Sequence, residues 1–95
     1  MNYVLYGAAG CALCLKAKQL MEKAKLSYGY VDVGFAEGLA DYHYEIDDCY
    51  GDGSKLPGLL MTASDTGNKG FHFEKKLYQG MSVIDYLKEV CKEGG

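Results

Sequence analysis

The chain has no second Cys-x-x-Cys, no His-x-x-x-His, no basic segment at its N-terminus, no apolar run of bilayer length and only one proline in 95 residues. Each absence narrows the class. Lacking a second ligand pair, the one Cys-x-x-Cys is at most half of an ordinary zinc site. The first apolar stretch is broken at Gly7 and has no basic residues before it, so neither a secretory signal nor a membrane span is expected, and the expected compartment is the cytoplasm. Basic residues number 10 against 13 acidic ones, for a formal charge of -3. The lysines gather mainly in the first helical segment, so neither nucleic acid nor an anionic membrane is an expected partner. A 48% hydrophobic chain of this length supports one core, hence a single domain over 1–95, expected as a monomer. Four cysteines would also suit a two-disulfide secreted scaffold, but regular strand and helix patterns without a signal favour a reducing compartment.

What the chain does have is Cys11-Ala12-Leu13-Cys14, two thiols three positions apart at a strand-to-helix transition. Asn2-Tyr3-Val4-Leu5-Tyr6 favours a strand, and Gly7-Ala8-Ala9-Gly10 can turn tightly without side-chain clashes. From Leu13 through Lys25 nearly every residue is a strong helix former, with Ala17, Leu20, Met21 and Ala24 at helical offsets. Cys11 is therefore expected at the mouth of a helix, where unpaired N–H groups and the positive end of the dipole favour an anion and so the thiolate. Cys14, one turn further in, is expected to be more shielded and suited to resolving a mixed disulfide formed at Cys11. The alternative reading of the pair is a metal site, against which Cys49 and Cys91 stand isolated from each other.

The remaining pattern is regular. Tyr28 to Val33 reads as a second strand, and strand, helix, strand normally forms a right-handed parallel crossover. Glu37 to Tyr50 carries Leu39, Tyr42, Ile46, Cys49 and Tyr50 at helical spacing, with Gly51 expected as its C-terminal stop. Lys55 to Thr62 reads as a strand containing Pro57, 63–70 as a hairpin turn, and Phe71 to Tyr78 as the returning strand. Ser82 is the expected N-cap of a last helix, Asp85 holds the capping-box position, and Val83, Ile84, Leu87, Val90 and Cys91 form its buried stripe. The expected fold is α/β: a four-stranded mixed sheet in the order βαβαββα with three flanking helices.

This order, with the dithiol after the first strand, resembles the thioredoxin superfamily and within it the glutaredoxins. Glutaredoxins typically carry an aromatic strand end, Lys-Pro, a glycine, Cys-Pro-Tyr-Cys, then a basic residue, Ala, Lys and a Leu pair. Tyr6 to Met21 follows that pattern most closely after Cys14. Leu56-Pro57 is similar to the family's Val-Pro, and Gln79-Gly80-Met81-Ser82 occupies the place of its Gly-Gly-x-Asp turn. The resemblance implies a thioredoxin-like fold, a cis Pro57 against the dithiol, and a Leu56 backbone that clamps an extended thiol substrate. The alternative for Pro57 is a trans residue opening an edge strand. It also implies Cys11 as nucleophile, Cys14 as resolving thiol, glutathione as co-substrate without a bound cofactor, and Leu56, Pro57, Gly80, Met81 and Ser82 near the glutathione site.

The departures bear on the reductant. Ala8 stands where glutaredoxins place a lysine toward a glutathione carboxylate, and Ser82 stands where an acid meets the γ-glutamyl ammonium. Each charge-assisted bond contributes about 1.5–3 kcal/mol, so losing two weakens glutathione binding by roughly a hundredfold unless Lys16, Lys55 or another residue compensates. Three expectations result. The first is a dithiol glutaredoxin-like reductase of protein disulfides, recycled by glutathione. The second has the same chemistry recycled by thioredoxin reductase, as in redoxins that supply ribonucleotide reductase. In the third the cysteines carry a metal or iron-sulfur cluster.

Other conspicuous residues read more plainly. Of nine tyrosines, all but Tyr44 fall on strand or helix patterns, with Tyr44 expected exposed. His43 and His72 are expected at the surface. Cys49 and Cys91 are expected as reduced core residues on opposite faces of the sheet. Glu45, Asp47, Asp48 and Asp52 read as a solvated helix end.

Overall fold

A computed structural model of the chain describes residues 2–53, 55–65 and 72–93. The elements are β1 (Asn2–Gly7), α1 (Ala12–Lys23), β2 (Tyr28–Asp32), α2 (Ala36–Cys49), β3 (Gly58–Asp65), β4 (His72–Gln79) and α3 (Met81–Glu93). The sheet runs β2-β1-β3-β4. β2 lies parallel to β1, and β3 is antiparallel to both β1 and β4. This is the expected βαβαββα order, with the connectivity of a thioredoxin-like fold.

Alternation along the strands divides the interior in two, because successive strand side chains point to opposite faces. Leu5 and Leu59 join Ala17, Met21, Val83, Ile84 and Leu87 beneath α1 and α3. Their chain neighbours Tyr6 and Leu60 join Tyr42 and Ile46 beneath α2. Two layers of helix thus sandwich one central sheet.

The boundaries differ from the sequence reading in instructive places. The left-handed residue that ends α2 is Tyr50 (φ 57), not Gly51. Glycine is needed at 51 for space, since a Cβ there would lie 2.7 Å from Gln79 Oε1. The same left-handed turn leaves Tyr50 96% exposed, off the buried stripe on which the periodicity placed it. Leu39 is also exposed.

α3 begins at Met81, so Ser82 sits inside the first turn and is not its cap. Gly80 (φ 62) precedes the helix, and its carbonyl accepts from the Val83 N–H at 3.1 Å. β3 begins at Gly58, after Pro57, and runs on to Asp65 into the expected turn. The rest of that turn, Phe71, and Gly94-Gly95 lie outside the described residues. Among the described residues no helix is long and apolar enough to cross a membrane.

Candidate functional site

The dithiol is shaped by the end of β1 and the start of α1. After Gly7 the backbone turns through Gly10 (φ 80), and the Cys11 N–H donates to the Ala8 carbonyl at 3.3 Å. Cys11 is itself the N-cap of α1, with extended φ and ψ of -91° and 110°. Its Sγ accepts from the Cys14 N–H at 3.3 Å, the place usually held by a Ser, Thr or Asp oxygen. The Leu15 N–H then closes the first helical turn on the Cys11 carbonyl. The sulfur at the mouth thus takes up one of the donors that every helix start leaves open.

The two thiols differ in environment. Cys11 is half-buried and Cys14 only 2% exposed. Burial pushes the Cys14 thiol up to about 12, the adjacent Cys11 sulfur adds to that rise, and a backbone contact with Ala8 opposes it. Cys14 therefore keeps its proton at neutral pH. All four cysteines are free thiols in this structure.

Beside Cys11 lies a hollow of about 400 Å³, walled by Ala8, Ala9, Leu15, Lys18 and Tyr30 along with the dithiol. Two of these were missed by sequence reasoning. Tyr30, assigned above to strand packing, is 39% exposed, and the Lys18 ammonium lies 4.6 Å above its ring centre. No local sequence signal marks either one, because Tyr30 reaches the gap beside Gly7 only through the parallel register that pairs it with Leu5. By contrast Lys16 lines a different groove, between α1 and α3, together with Lys23, Lys88, Lys92 and Cys91.

The other expected site residues share the sheet edge at which β1 delivers the dithiol, because Gly58 pairs with Tyr6 on one side and Gln79 on the other. The Leu56–Pro57 bond is cis. Pro57 is buried, and its carbonyl accepts from the Gly80 N–H at 2.9 Å, tying the proline loop to the start of α3. Leu56 is half-buried against the α2-side core and lies outside the β3 ladder. Met81 is 54% exposed, and Ser82 is exposed as well.

The proline loop is held from beneath. Tyr42 stacks on Tyr6 at 4.9 Å between ring centres, and the Tyr6 hydroxyl donates to Asp41 Oδ2 at 3.1 Å. Gln79 bonds Asp52 in both directions, its Oε1 accepting from the Asp52 N–H and its Nε2 donating to the Asp52 carbonyl. Burial, more than Asp41, pushes the Tyr6 hydroxyl upward.

Position decides two other expectations. Glu45 is not part of a solvated helix end: it is 9% exposed, and Lys75 from β4 reaches across to both Glu45 (3.1 Å) and Asp48 (3.0 Å). Cys49 and Cys91 are half-buried on opposite sides of the sheet, Cys49 against the α2-side core and Cys91 with its thiol 3.6 Å from the Leu20 carbonyl. Glu45, Asp48 and Cys49 converge within 4.8 Å, but the Lys75 ammonium already bonds both carboxylates; among the described residues no such group includes Cys11 or Cys14.

Comparison with models of protein families, with curated proteins and with solved structures finds no match. A half-open sulfur at a helix mouth above a shielded, protonated thiol is an arrangement suited to disulfide exchange.

Proposed function

We propose that this protein is a glutaredoxin-like dithiol oxidoreductase that reduces disulfides of proteins or small thiols. The Cys11 thiolate attacks one sulfur of a substrate disulfide, forming a mixed disulfide and releasing the other half as a thiolate. Cys14 then loses its proton and attacks the Cys11 sulfur. The Cys11–Cys14 disulfide forms and the second substrate thiolate departs. A reductant returns the two electrons.

The observation that carries this reading is the asymmetry of the pair: Cys11 half-buried at the N-cap with its sulfur as acceptor, Cys14 enclosed one turn below. The cis proline loop at the same sheet edge supports a place for an extended substrate beside Leu56. No cofactor is required, and the reading places the protein as a monomer in the reducing cytoplasm.

Glutathione is the proposed reductant. A second reading, recycling by thioredoxin reductase with ribonucleotide reductase as a substrate, is favoured by one observation. Lys16, the cation named above as a replacement for the missing anchor, lines the α1 and α3 groove, and the hollow beside Cys11 has Lys18 as the single cation among its lining residues. NADPH oxidation during disulfide reduction, coupled once to glutathione and glutathione reductase and once to thioredoxin reductase, separates the two. Cys11→Ser should abolish turnover in whichever system is active. Activity in neither system, with intact protein, would overturn the proposal.

A further inference from the structure

We propose that Tyr30 is a positioning residue for the resolving step, its hydroxyl donating a hydrogen bond to the Cys14 sulfur as that sulfur becomes a thiolate. This rests on the dithiol reading above and assigns that site a group outside the Cys-x-x-Cys segment.

The geometry begins at Gly7. A Cβ built there would lie 2.9 Å from the Tyr30 hydroxyl, 3.1 Å from Cys14 Cβ and 3.2 Å from Cys14 Sγ. The phenol and the inner thiol therefore border the same small gap, which exists because residue 7 has no side chain. Tyr30 reaches it from β2, with its ring lying under the Lys18 ammonium. Among the described residues no fixed hydrogen-bond partner holds the Tyr30 hydroxyl, so its proton is available to a new acceptor.

The chemistry needs such a donor. In the mixed disulfide the Cys11 sulfur is covalently occupied, and Cys14 must ionise inside the protein before it can attack. Burial opposes that ionisation. Burial first, then the negative ends of Cys14, Asp32 and Cys11, hold the Tyr30 proton more firmly than in water. Tyr30 is thus a donor and not a base, and the Cys14 proton leaves to solvent. The titratable groups facing Cys14 are Cys11 on α1, Tyr30 on β2 and Tyr42 on α2; those facing Tyr30 are Asp32, Tyr28 and Lys18. Of these, Tyr42 is committed to the Lys55 carbonyl and Gln79.

The test uses the reduced full chain and an aromatic disulfide whose thiolate absorbs visible light. Attack by Cys11 releases one equivalent, and attack by Cys14 on the resulting mixed disulfide releases a second, so the two steps appear as two phases. Cys14→Ser should lose that second phase, and Cys49→Ala with Cys91→Ala in the background of every variant removes release from the two other free thiols. Tyr30→Phe keeps the ring and its contact with Lys18 but removes the donor. Relative to the first phase it should slow the second about tenfold and raise the pH midpoint of the second phase by about one unit. Looser packing alone would not move that midpoint upward. A second phase with unchanged rate and midpoint in Tyr30→Phe overturns this proposal alone. Absence of the first phase in the unsubstituted protein overturns the dithiol reading and this proposal with it.

Discussion

The Tyr42 hydroxyl donates to the Lys55 carbonyl at 2.7 Å and accepts from Gln79 Nε2 at 2.8 Å, so one phenol on α2 joins the proline loop to the end of β4. Tyr42 is 1% exposed, and water cannot readily replace it as a partner. Tyr42→Phe should lower stability by about 1–3 kcal/mol, since buried polar groups lose their mate while the ring still fills its place. Denaturant titration reads the loss. If the loop geometry matters to turnover, disulfide reduction should fall by more than stability alone explains, at temperatures where the variant is fully folded.

Two glycines in the sheet should respond in opposite ways to the same added methyl group. A Cβ on Gly58 would lie 2.5 Å from the buried Tyr42 ring. Gly58→Ala is therefore expected to destabilise by about 1–3 kcal/mol through overpacking. At Gly29 on β2 nothing lies within 4 Å of the added carbon. Gly29→Ala should be neutral or stabilise by about 0.4–1 kcal/mol, because it narrows the unfolded ensemble. Paired thermal melts check both, and equal effects at the two sites would contradict the packing described.

Cys14 makes stability depend on alkaline pH. Its thiol ordinarily titrates near 9.0 and is pushed up to about 12 in the fold. The unfolded chain sheds that proton first, so this contribution is whole below pH 9 and is lost as pH rises toward 12. Cys14→Ser removes the titrating group. Its melting temperature should decline less steeply than that of the unsubstituted protein between pH 9 and 11.

Lys75 bridges Glu45 and Asp48 from the opposite element, with 24% of its side chain exposed against 12% for Glu45. Bonds to the two carboxylates, Asp48 first, hold its ammonium well above the usual lysine range. Solvent reaches the pair, so Lys75→Met should cost no more than about 1 kcal/mol at low ionic strength. That cost should shrink in concentrated salt. A loss that salt leaves unchanged would mean that the packing of the lysine stem, not its charge, was responsible.

Local pattern in the sequence was enough for the element order, the helix mouth at Cys11 and the division between Cys11 and a shielded Cys14. These follow from helix propensity, strand alternation and small-residue turns, all of which act over a few neighbouring residues. The ends of α2 and α3 were misread because the residues expected to terminate them were chosen by type. Gly51 is required by the approach of Gln79 from β4, and Ser82 yields its place to the carbonyl of Gly80. Likewise Glu45 reads as a solvated charge until Lys75 arrives from thirty residues away.

The second side of the site lay beyond the sequence for the same reason. Tyr30 reads as strand packing, and only the parallel register of β1 with β2 brings its hydroxyl to the gap left by Gly7, next to Cys14. Lys18 and Lys16 are two positions apart on one helix, yet the helical rotation sends Lys18 over Tyr30 and Lys16 toward α3. Which thiol stands at the helix mouth and which lies enclosed one turn below was written in the local sequence around α1. Which groups surround the enclosed thiol was decided by strand pairing, because side chains far apart in the chain meet only where backbone register brings them together.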